Sequence, residues 1–343
     1  ADYIVVLNNS SSKMTADASY LRGQALTLLE DIGVDAGRLK TTLQGEANGF
    51  VARLSKSEAA DLAEDDKVLF IEPDRVLKLG TQCFTLVSPS TAQWGVKRTG
   101  VADGSGKTVW IVDTGVDFDH PDLNVDKTRS KNFIDPQALA TDDHGHGTHV
   151  AGIVAALNNN IGVLGVAPGA RVVALKVLNN TGEGNTSYIF QALNYISQQA
   201  AAGDVVNMSL GADTISVALD NTVKNIAARG ILFSIAAGNS SKAANLSSPA
   251  RANAPNIFTV SAIDSLGRFA SFSNFGNDVV DYAAPGVNIV STYSNGRYAR
   301  LSGTSMAAPH MAGILLLNGS AVRTKGTVLN DPDGTPDRIA SLY

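Results

Sequence analysis

The chain contains little cysteine, no long apolar run and no excess of positive charge. Cys83 is its single cysteine, so the chain can form neither an internal disulfide nor a cluster of thiolate metal ligands. No apolar run approaches the roughly 18–20 residues that span a bilayer, and we expect no contact with a membrane. With 27 basic and 32 acidic residues the formal net charge is −5, which argues against nucleic acid as a partner. The sequence opens at Ala1 without a basic stretch followed by a long apolar one, so we expect no signal peptide within it.

The composition is that of a globular protein with a sizeable core. Of the 343 residues, 44% are hydrophobic and 17% are charged. This balance argues against disorder, and the length predicts about two domains.

Residues 1–80 are predicted to form a small α+β domain. Apolar periodicity and turn residues give the order strand, helix, strand, strand, helix, strand, with elements at Asp2–Leu7, 15–32, Leu39–Leu43, 50–54, 55–64 and 68–71. Ser55 and Glu58 have the spacing of a capping box at the start of the second helix. This order is typical of a ferredoxin-like fold.

Residues 81–93 show no clear period and are predicted to be a linker, which leaves 94–343 as a second domain. Short β-branched runs occur there at 109–112, 172–177, 205–208, 231–236 and 257–260, separated by amphipathic stretches. That alternation predicts an α/β fold with a parallel sheet flanked by helices on both faces. Sites in such sheets gather beyond the carboxyl ends of the strands.

Four motifs in the second domain carry residues suited to acyl transfer. Asp113 ends an apolar strand, His146 lies between two glycines at a predicted helix start, Asn239 follows a strand, and Ser305 precedes an apolar helix. Acyl transfer needs a nucleophile, a base, an acid that orients the base, and donors for the oxyanion. Each residue alone also fits a plain structural role, as a turn residue or a helix cap, but the four together favour catalysis.

The same motifs resemble those of subtilisin-like serine proteases. The matching stretches are V-D-T-G around Asp113, H-G-T-H-V-A-G from His146, A-A-G-N ending at Asn239 and G-T-S-M-A-A-P-H around Ser305. Residues 1–80 are similar to the inhibitory propeptide of that family. The resemblance implies a subtilisin-like α/β fold preceded by a ferredoxin-like propeptide domain.

The resemblance also implies a role for each residue. Ser305 is the expected nucleophile, His146 the base, Asp113 the orienting acid, and the Asn239 amide an oxyanion donor. Residues expected to contact the substrate backbone and the specificity pocket are Ser209, Leu210, Gly211, Ala236, Ala237 and Gly238, with 182–186 as the opposite wall.

A structural calcium site is implied by the resemblance of residues 157–163 to the calcium loop of subtilisins. The expected ligands are the Asp122 carboxylate, the Asn159 side chain and the carbonyls of Leu157, Ile161 and Val163. The family's further glutamine ligand has Ser90 at the matching place, with Gln93 shifted nearby.

The expected function is therefore a serine endopeptidase made as a proenzyme, which cuts its own chain between Leu79 and Phe84. Its expected partners are protein or peptide substrates and its own propeptide as inhibitor, and it is expected to be a secreted monomer. One alternative is a catalytically silent binding protein on the same scaffold. Another is a metalloprotease using His144, His146 and His149, although their spacing differs from that of zinc proteases.

Overall fold

The structure, a computed structural model, describes residues 1–8, 17–80, 83–88 and 93–343. Residues 1–80, here called the N-terminal domain, have the predicted element order. Its helices and strands are β1 (Asp2–Leu7), α1 (Ala18–Asp31), β2 (Leu39–Leu43), β3 (Gly49–Arg53), α2 (Lys56–Ala63), β4 (Val68–Pro73) and β5 (Val76–Lys78).

The ferredoxin-like prediction for this domain is confirmed. Its antiparallel sheet has the order β2-β3-β1-β4. Helix α1 begins at Ala18, where Asp17 accepts a hydrogen bond from the backbone of Tyr20, and the predicted start at Thr15 lies outside the described residues. The capping box between Ser55 and Glu58 is formed in full.

The rest of the chain forms a larger α/β unit. Its helices are α3 (Trp94–Thr99), α4 (His146–Ala155), α5 (Thr186–Gln199), α6 (Val217–Ala227) and α7 (Thr304–Asn318). Its strands are β6 (Thr85–Leu86), β7 (Thr108–Asp113), β8 (Lys131–Asn132), β9 (Arg171–Lys176), β10 (Glu183–Asn185), β11 (Val205–Met208), β12 (Leu232–Ala236), β13 (Ile257–Ile263), β14 (Val280–Pro285), β15 (Ile289–Tyr293), β16 (Arg297–Leu301), β17 (Arg323–Thr327) and β18 (Arg338–Ser341).

A parallel sheet lies at the centre of this unit, as predicted. Its order is β17-β18-β14-β13-β12-β11-β7-β9-β8, and only the edge strand β17 runs antiparallel to its neighbour. Alternate strand residues enter two different cores. Ile111 and the strand residues on the same face of the sheet pack under α4 and α7. Val112 and the strand residues on the other face pack under α5 and α6.

The tail after α7 contains two strands, β17 and β18. Its glycine- and aspartate-rich sequence predicts irregular structure after Leu317 with a strand or two, which agrees with this. In the structure β18 extends the central sheet, and Ile339 and Ala340 are buried. The pairing partner lies far away in sequence, so local composition does not reveal it.

The N-terminal domain packs its open sheet face against α5 and α6. Ile4, Val6, Leu43 and Val51 share one apolar core with residues of those two helices. The opposite sheet face is covered by α1 and α2. Within the described part of the chain, no helix is both long and apolar enough to cross a membrane.

Candidate active site

The predicted catalytic residues meet at the carboxyl edge of the central sheet. Asp113 is the last residue of β7, and Asn239 follows β12. His146 and Ser305 lie in the first turns of α4 and α7, whose N-termini face the same edge. First-turn N–H groups have no carbonyl partner within their helix, so they can stabilise an anion there.

Asp113 and His146 form a fully buried pair. His146 Nδ1 lies 2.7 Å from Asp113 Oδ1 and 2.9 Å from Oδ2, and both side chains are 0% exposed. The backbone N–H of Thr114 donates to Asp113 Oδ1 at 2.7 Å. This arrangement holds the imidazole in one orientation and directs Nε2 away from the acid.

Two glycines beside His146 allow this close packing. Gly145 has φ of +107°, and a Cβ there would lie 2.3 Å from the ring of Tyr293. A Cβ on Gly147 would lie 2.1 Å from the carbonyl oxygen of Gly115. Any larger residue at either position would displace the start of α4, and with it the imidazole.

Ser305, at the start of α7, has no hydrogen bond to this pair in the described part of the chain. Its hydroxyl donates to the carbonyl of Ser209 at 3.1 Å. His146 Nε2 is buried and has no hydrogen-bond partner among the described residues. Attack on a substrate therefore requires the Ser305 hydroxyl to turn from Ser209 to His146. Such catalytic contacts are often completed only when substrate binds.

Asn239 is exposed, and its amide is oriented by Thr304. The Asn239 side-chain oxygen accepts hydrogen bonds from the backbone N–H of Thr304 at 2.8 Å and from its hydroxyl at 2.9 Å. With its oxygen committed in this way, the amide can offer only its N–H donors to a bound anion. Thr304 is a functional residue that motif reasoning missed, although it directly precedes Ser305.

All six residues predicted to contact substrate line one cleft of about 350 Å³, which also contains Ser305 and Asn239. Gly211 and Gly238 have no side chains, so they leave space in this cleft for the backbone of a peptide. Within the predicted opposite wall, residues 183–185 form β10, which pairs antiparallel with β5 of the N-terminal domain. The chain's own residues 75–80 thus border the cleft as an extended peptide.

Asp142 organises the loop before His146, and the sequence analysis did not single it out. Its Oδ1 accepts hydrogen bonds from the Thr114 hydroxyl at 2.9 Å and from the backbone of Gly145 at 2.8 Å, while its Oδ2 accepts from Thr148. Thr114 in turn donates to Asp113 and accepts from Gly147. The Asp142 carboxylate therefore links the end of β7, which carries Asp113, to the start of α4, which carries His146.

The three histidines of the alternative metal site point to different partners. His149 Nε2 lies 3.1 Å from the carbonyls of Ile289 and Ala299, and burial lowers the pKa of His149 to about 3. Burial, together with the nearby His146, also lowers the pKa of His144. Among the described residues no three His, Cys, Asp or Glu side chains are grouped to hold a metal ion.

The residues predicted to bind calcium do lie together. Asp122 Oδ2 accepts from the Val163 backbone at 2.9 Å, and the Leu157 N–H donates to the Asp122 carbonyl at 2.9 Å. Asn159 Oδ1 accepts from Ile161. Asp122 Oδ1 is buried without a hydrogen-bond partner in the described part of the chain, and burial raises the pKa of this carboxyl.

Gln93 also reaches this loop. Its Oε1 accepts from the Leu164 backbone at 3.3 Å, and its Nε2 is buried with no partner in the ranges described. Ser90, the residue at the matching place for the family's glutamine, lies outside the described residues.

Both parts of the chain match known families. Residues 104–329 match the subtilase family, and residues 2–80 match the peptidase inhibitor I9 family.

Among curated proteins, alkaline serine exoprotease A of Vibrio alginolyticus is 34% identical over 92% of this chain and 60% of its own length. Subtilisin Savinase of Lederbergia lenta is 44% identical over 65% of the chain and 82% of its own length. M-protease of Shouchella clausii (strain KSM-K16) is 40% identical, and the match spans 77% of this chain and 67% of the relative.

A solved structure agrees with these matches. The crystal structure of a cold adapted subtilisin-like serine proteinase superposes with a TM-score of 0.64 at 33% identity, covering 74% of this chain and 98% of the other.

Proposed function

The chain belongs to the subtilase family, and from that premise we propose that it is a serine endopeptidase that acts through Ser305, His146 and Asp113. The observation that carries the proposal is the buried pair of Asp113 and His146 at the same sheet edge as Ser305, whose cleft is already bordered by residues 75–80 as an extended peptide. A silent binding protein would not need a buried, oriented imidazole there.

The proposed reaction begins with attack of Ser305 Oγ on the scissile carbonyl carbon. His146 Nε2 takes the hydroxyl proton and later gives it to the departing amine, which breaks the peptide bond and leaves an acyl-enzyme. Water then attacks the ester, with His146 again as base. Asp113 stabilises the charged imidazole and keeps its Nδ1 protonated.

The negative charge that develops on the carbonyl oxygen needs donors aimed at it. The Asn239 amide and the Ser305 backbone N–H at the start of α7 are the proposed donors. Since Thr304 fixes the Asn239 oxygen, the amide is oriented before substrate binds.

We propose that residues 1–80 act as inhibitor of the domain formed by 94–343, with the cut in the linker between Leu79 and Phe84. The pairing of β5 with β10 supports this, because it places the end of the N-terminal domain where the acyl side of a substrate would lie. Residues 81–82 of the processing region lie outside the described residues.

The chain's own residues also fit the calcium ion implied by the family. The buried, unpaired Asp122 Oδ1 is the kind of oxygen that a cation would satisfy, and Asn159 with the carbonyls of 157, 161 and 163 would complete the donor set. Calcium there would supply structural stability and no chemistry. We further propose a secreted monomer, in keeping with relatives named as alkaline proteases.

A fluorophosphonate probe, which phosphonylates activated serines, tests the proposal. Wild-type protein should gain one probe mass on the peptide that contains Ser305, and Ser305→Ala protein should gain none. Hydrolysis of a peptide substrate that persists after full labelling, and stops only on chelation, would instead indicate the metalloprotease. Folded protein that neither labels nor hydrolyses would indicate the silent scaffold.

A further inference from the structure

A fixed aromatic ring lines a second cavity that adjoins the cleft at Gly80, next to the loop that carries His146. Tyr293, the last residue of β15, is only 4% exposed, and its hydroxyl donates to the carbonyl of His144 at 2.9 Å. Gly145 leaves no room between its backbone and the ring. The guanidinium of Arg297 lies 5.8 Å from the ring centroid on a cation–π contact. Tyr293 is thus a rigid platform whose position is tied to the His146 loop.

Phe84 of the linker is seated on that platform. The two ring centroids are 5.0 Å apart, and the rings are inclined by 24°, a stacked arrangement. Phe84 remains 50% exposed, so the contact is a surface association and not core packing. The following residues Thr85 and Leu86 pair antiparallel with β16, and the Val87 N–H donates to the Tyr298 carbonyl at 3.1 Å.

Phe84 belongs to the leaving-group side because it follows the proposed cut in the chain. Gly80 borders both the cleft that contains Ser305 and a second cavity of about 490 Å³, which is lined by His146, Tyr293 and Phe84. Residues before Gly80 run along β10 on the acyl side. Phe84 follows four residues later, at most about 14 Å of extended chain away, on the C-terminal side of the proposed cut.

We propose that Tyr293 forms a subsite for an aromatic side chain on the leaving-group side of the cleaved bond, and that Phe84 occupies it in the uncleaved chain. The inference rests on the proposed endopeptidase function and adds a residue that determines specificity beyond the scissile bond. An aromatic side chain that stacks on Tyr293, in a segment that pairs with β16, positions the leaving-group half of the substrate while His146 gives its proton to the departing amine.

The test uses peptides that differ only at the proposed contact. The parent is Val-Leu-Lys-Leu-Gly-Thr-Gln-Ser-Phe-Thr-Leu-Val, the chain's own residues 76–87 with Cys83→Ser. Its partners carry Phe84→Ala, Phe84→Leu or Phe84→Trp. Wild-type enzyme is assayed for kcat/KM on each peptide after self-cleavage and after the lag in which the N-terminal domain is lost, with Ser305→Ala protein as blank.

We expect kcat/KM to fall roughly two- to tenfold with alanine, to fall less with leucine and to be kept with tryptophan, as an aromatic stack implies. In a Tyr293→Leu enzyme the ratio between the parent and alanine peptides should shrink to near one, whatever the absolute rates. Equal kcat/KM for all peptides with the wild-type enzyme would overturn the subsite, as would an unchanged ratio in Tyr293→Leu. Failure to cleave any peptide would instead contradict the endopeptidase function itself.

Discussion

At the scale of single residues, the proposed role of Asn239 depends on the orientation that Thr304 gives its amide. The backbone and hydroxyl of Thr304 both donate to the Asn239 oxygen, which leaves the amide N–H groups for the oxyanion. Because the oxyanion forms only during reaction, the amide should lower the barrier without tightening ground-state binding.

We predict that Asn239→Leu lowers kcat about 10²- to 10³-fold with little change in KM, a magnitude already established for the corresponding amide of subtilisin itself. Steady-state kinetics on a short peptide substrate measure both constants. Thr304→Ser, which keeps the hydroxyl, is the matched control and should retain most of the activity. A rise in KM at constant kcat would show that Asn239 binds the ground state instead.

Calcium bound at Asp122 should stabilise the folded chain. If a cation satisfies the buried Asp122 Oδ1, calcium should bind the folded chain far better than the unfolded chain and stabilise it by about 3 kcal/mol at a hundredfold excess over Kd. Thermal unfolding of Ser305→Ala protein with calcium or with a chelator measures this shift. Asp122→Asn should reduce it strongly. An equal Tm with and without calcium would contradict the proposed site.

At the scale of elements, two helices of the larger unit begin against carboxylates of the N-terminal domain. Asp74 accepts hydrogen bonds from the Ser187 N–H at 2.9 Å and the Ser187 hydroxyl at 2.7 Å, at the start of α5. Glu72 accepts from the Ala218 N–H at 3.0 Å, at the start of α6. Each carboxylate satisfies a first-turn N–H of a helix that belongs to the other domain.

Asp74→Ala should therefore weaken inhibition by the N-terminal domain. A lost cap is worth about 0.5–2 kcal/mol, which corresponds to a two- to thirtyfold weaker association. After self-cleavage, the lag before peptide hydrolysis appears should shorten, whereas Asp61→Ala, at an exposed position of α2 on the other face of the sheet, should leave it unchanged. An unaltered lag in the Asp74 variant would show that the cap contributes little to binding.

Asp337, directly before the tail strand β18, makes the stability of the chain depend on pH. Burial is the main cause that raises its pKa to about 7; the carboxylates of Asp331, Asp333 and Asp281 act in the same direction, and the hydrogen bond from Ser261 acts against them. The folded chain therefore holds a proton on Asp337 that the unfolded chain releases near pH 4. The contribution of Asp337 to the free energy of unfolding is complete below about pH 4 and is lost as the pH rises through about 7.

Asp337→Asn should flatten this dependence, because asparagine cannot ionise yet keeps an oxygen to accept from Ser261. Thermal unfolding between pH 4 and 8, on the Ser305→Ala background, measures the slope of Tm. The fall of Tm from pH 5 to 8 should be smaller in the variant than in the parent, and Asp119→Asn, on the exposed surface, should behave like the parent. A fall of Tm with pH in Asp337→Asn as steep as in the parent would show that Asp337 is not the source of the pH dependence.

Local patterns predicted these elements better than they predicted their partners. The capping box at Ser55 and the strand ending at Asp113 depend on neighbours in sequence, and both form as expected. The pairing of β18 with β14 and the stacking of Phe84 on Tyr293 join residues far apart in the chain. Such contacts depend on the completed fold, so periodicity and turn residues could not predict them.

The candidate site likewise has features that local motifs predict and features that depend on the completed fold. Motifs placed Asp113, His146, Asn239 and Ser305 at one sheet edge, where the structure has them. They did not predict that the Ser305 hydroxyl donates to Ser209, since its rotamer depends on the neighbouring strand end.

At the scale of the whole molecule, the described segments on both sides of the proposed cut pair with strands of the larger unit. β5, before the cut, pairs with β10, and β6, after it, pairs with β16. The N-terminal domain is held against α5 and α6 by an apolar core as well as by its two carboxylate caps. Cutting the linker once should therefore leave this domain bound, so self-cleavage should precede the appearance of activity.

The intact mass of wild-type protein, incubated at neutral pH with calcium beside Ser305→Ala, tests the central claim most directly. The account predicts that the wild type splits into two fragments at a bond between Leu79 and Phe84, while the variant stays whole. A wild-type chain that remains uncut would contradict self-cleavage by Ser305, and so would a variant that is cut at the same bond.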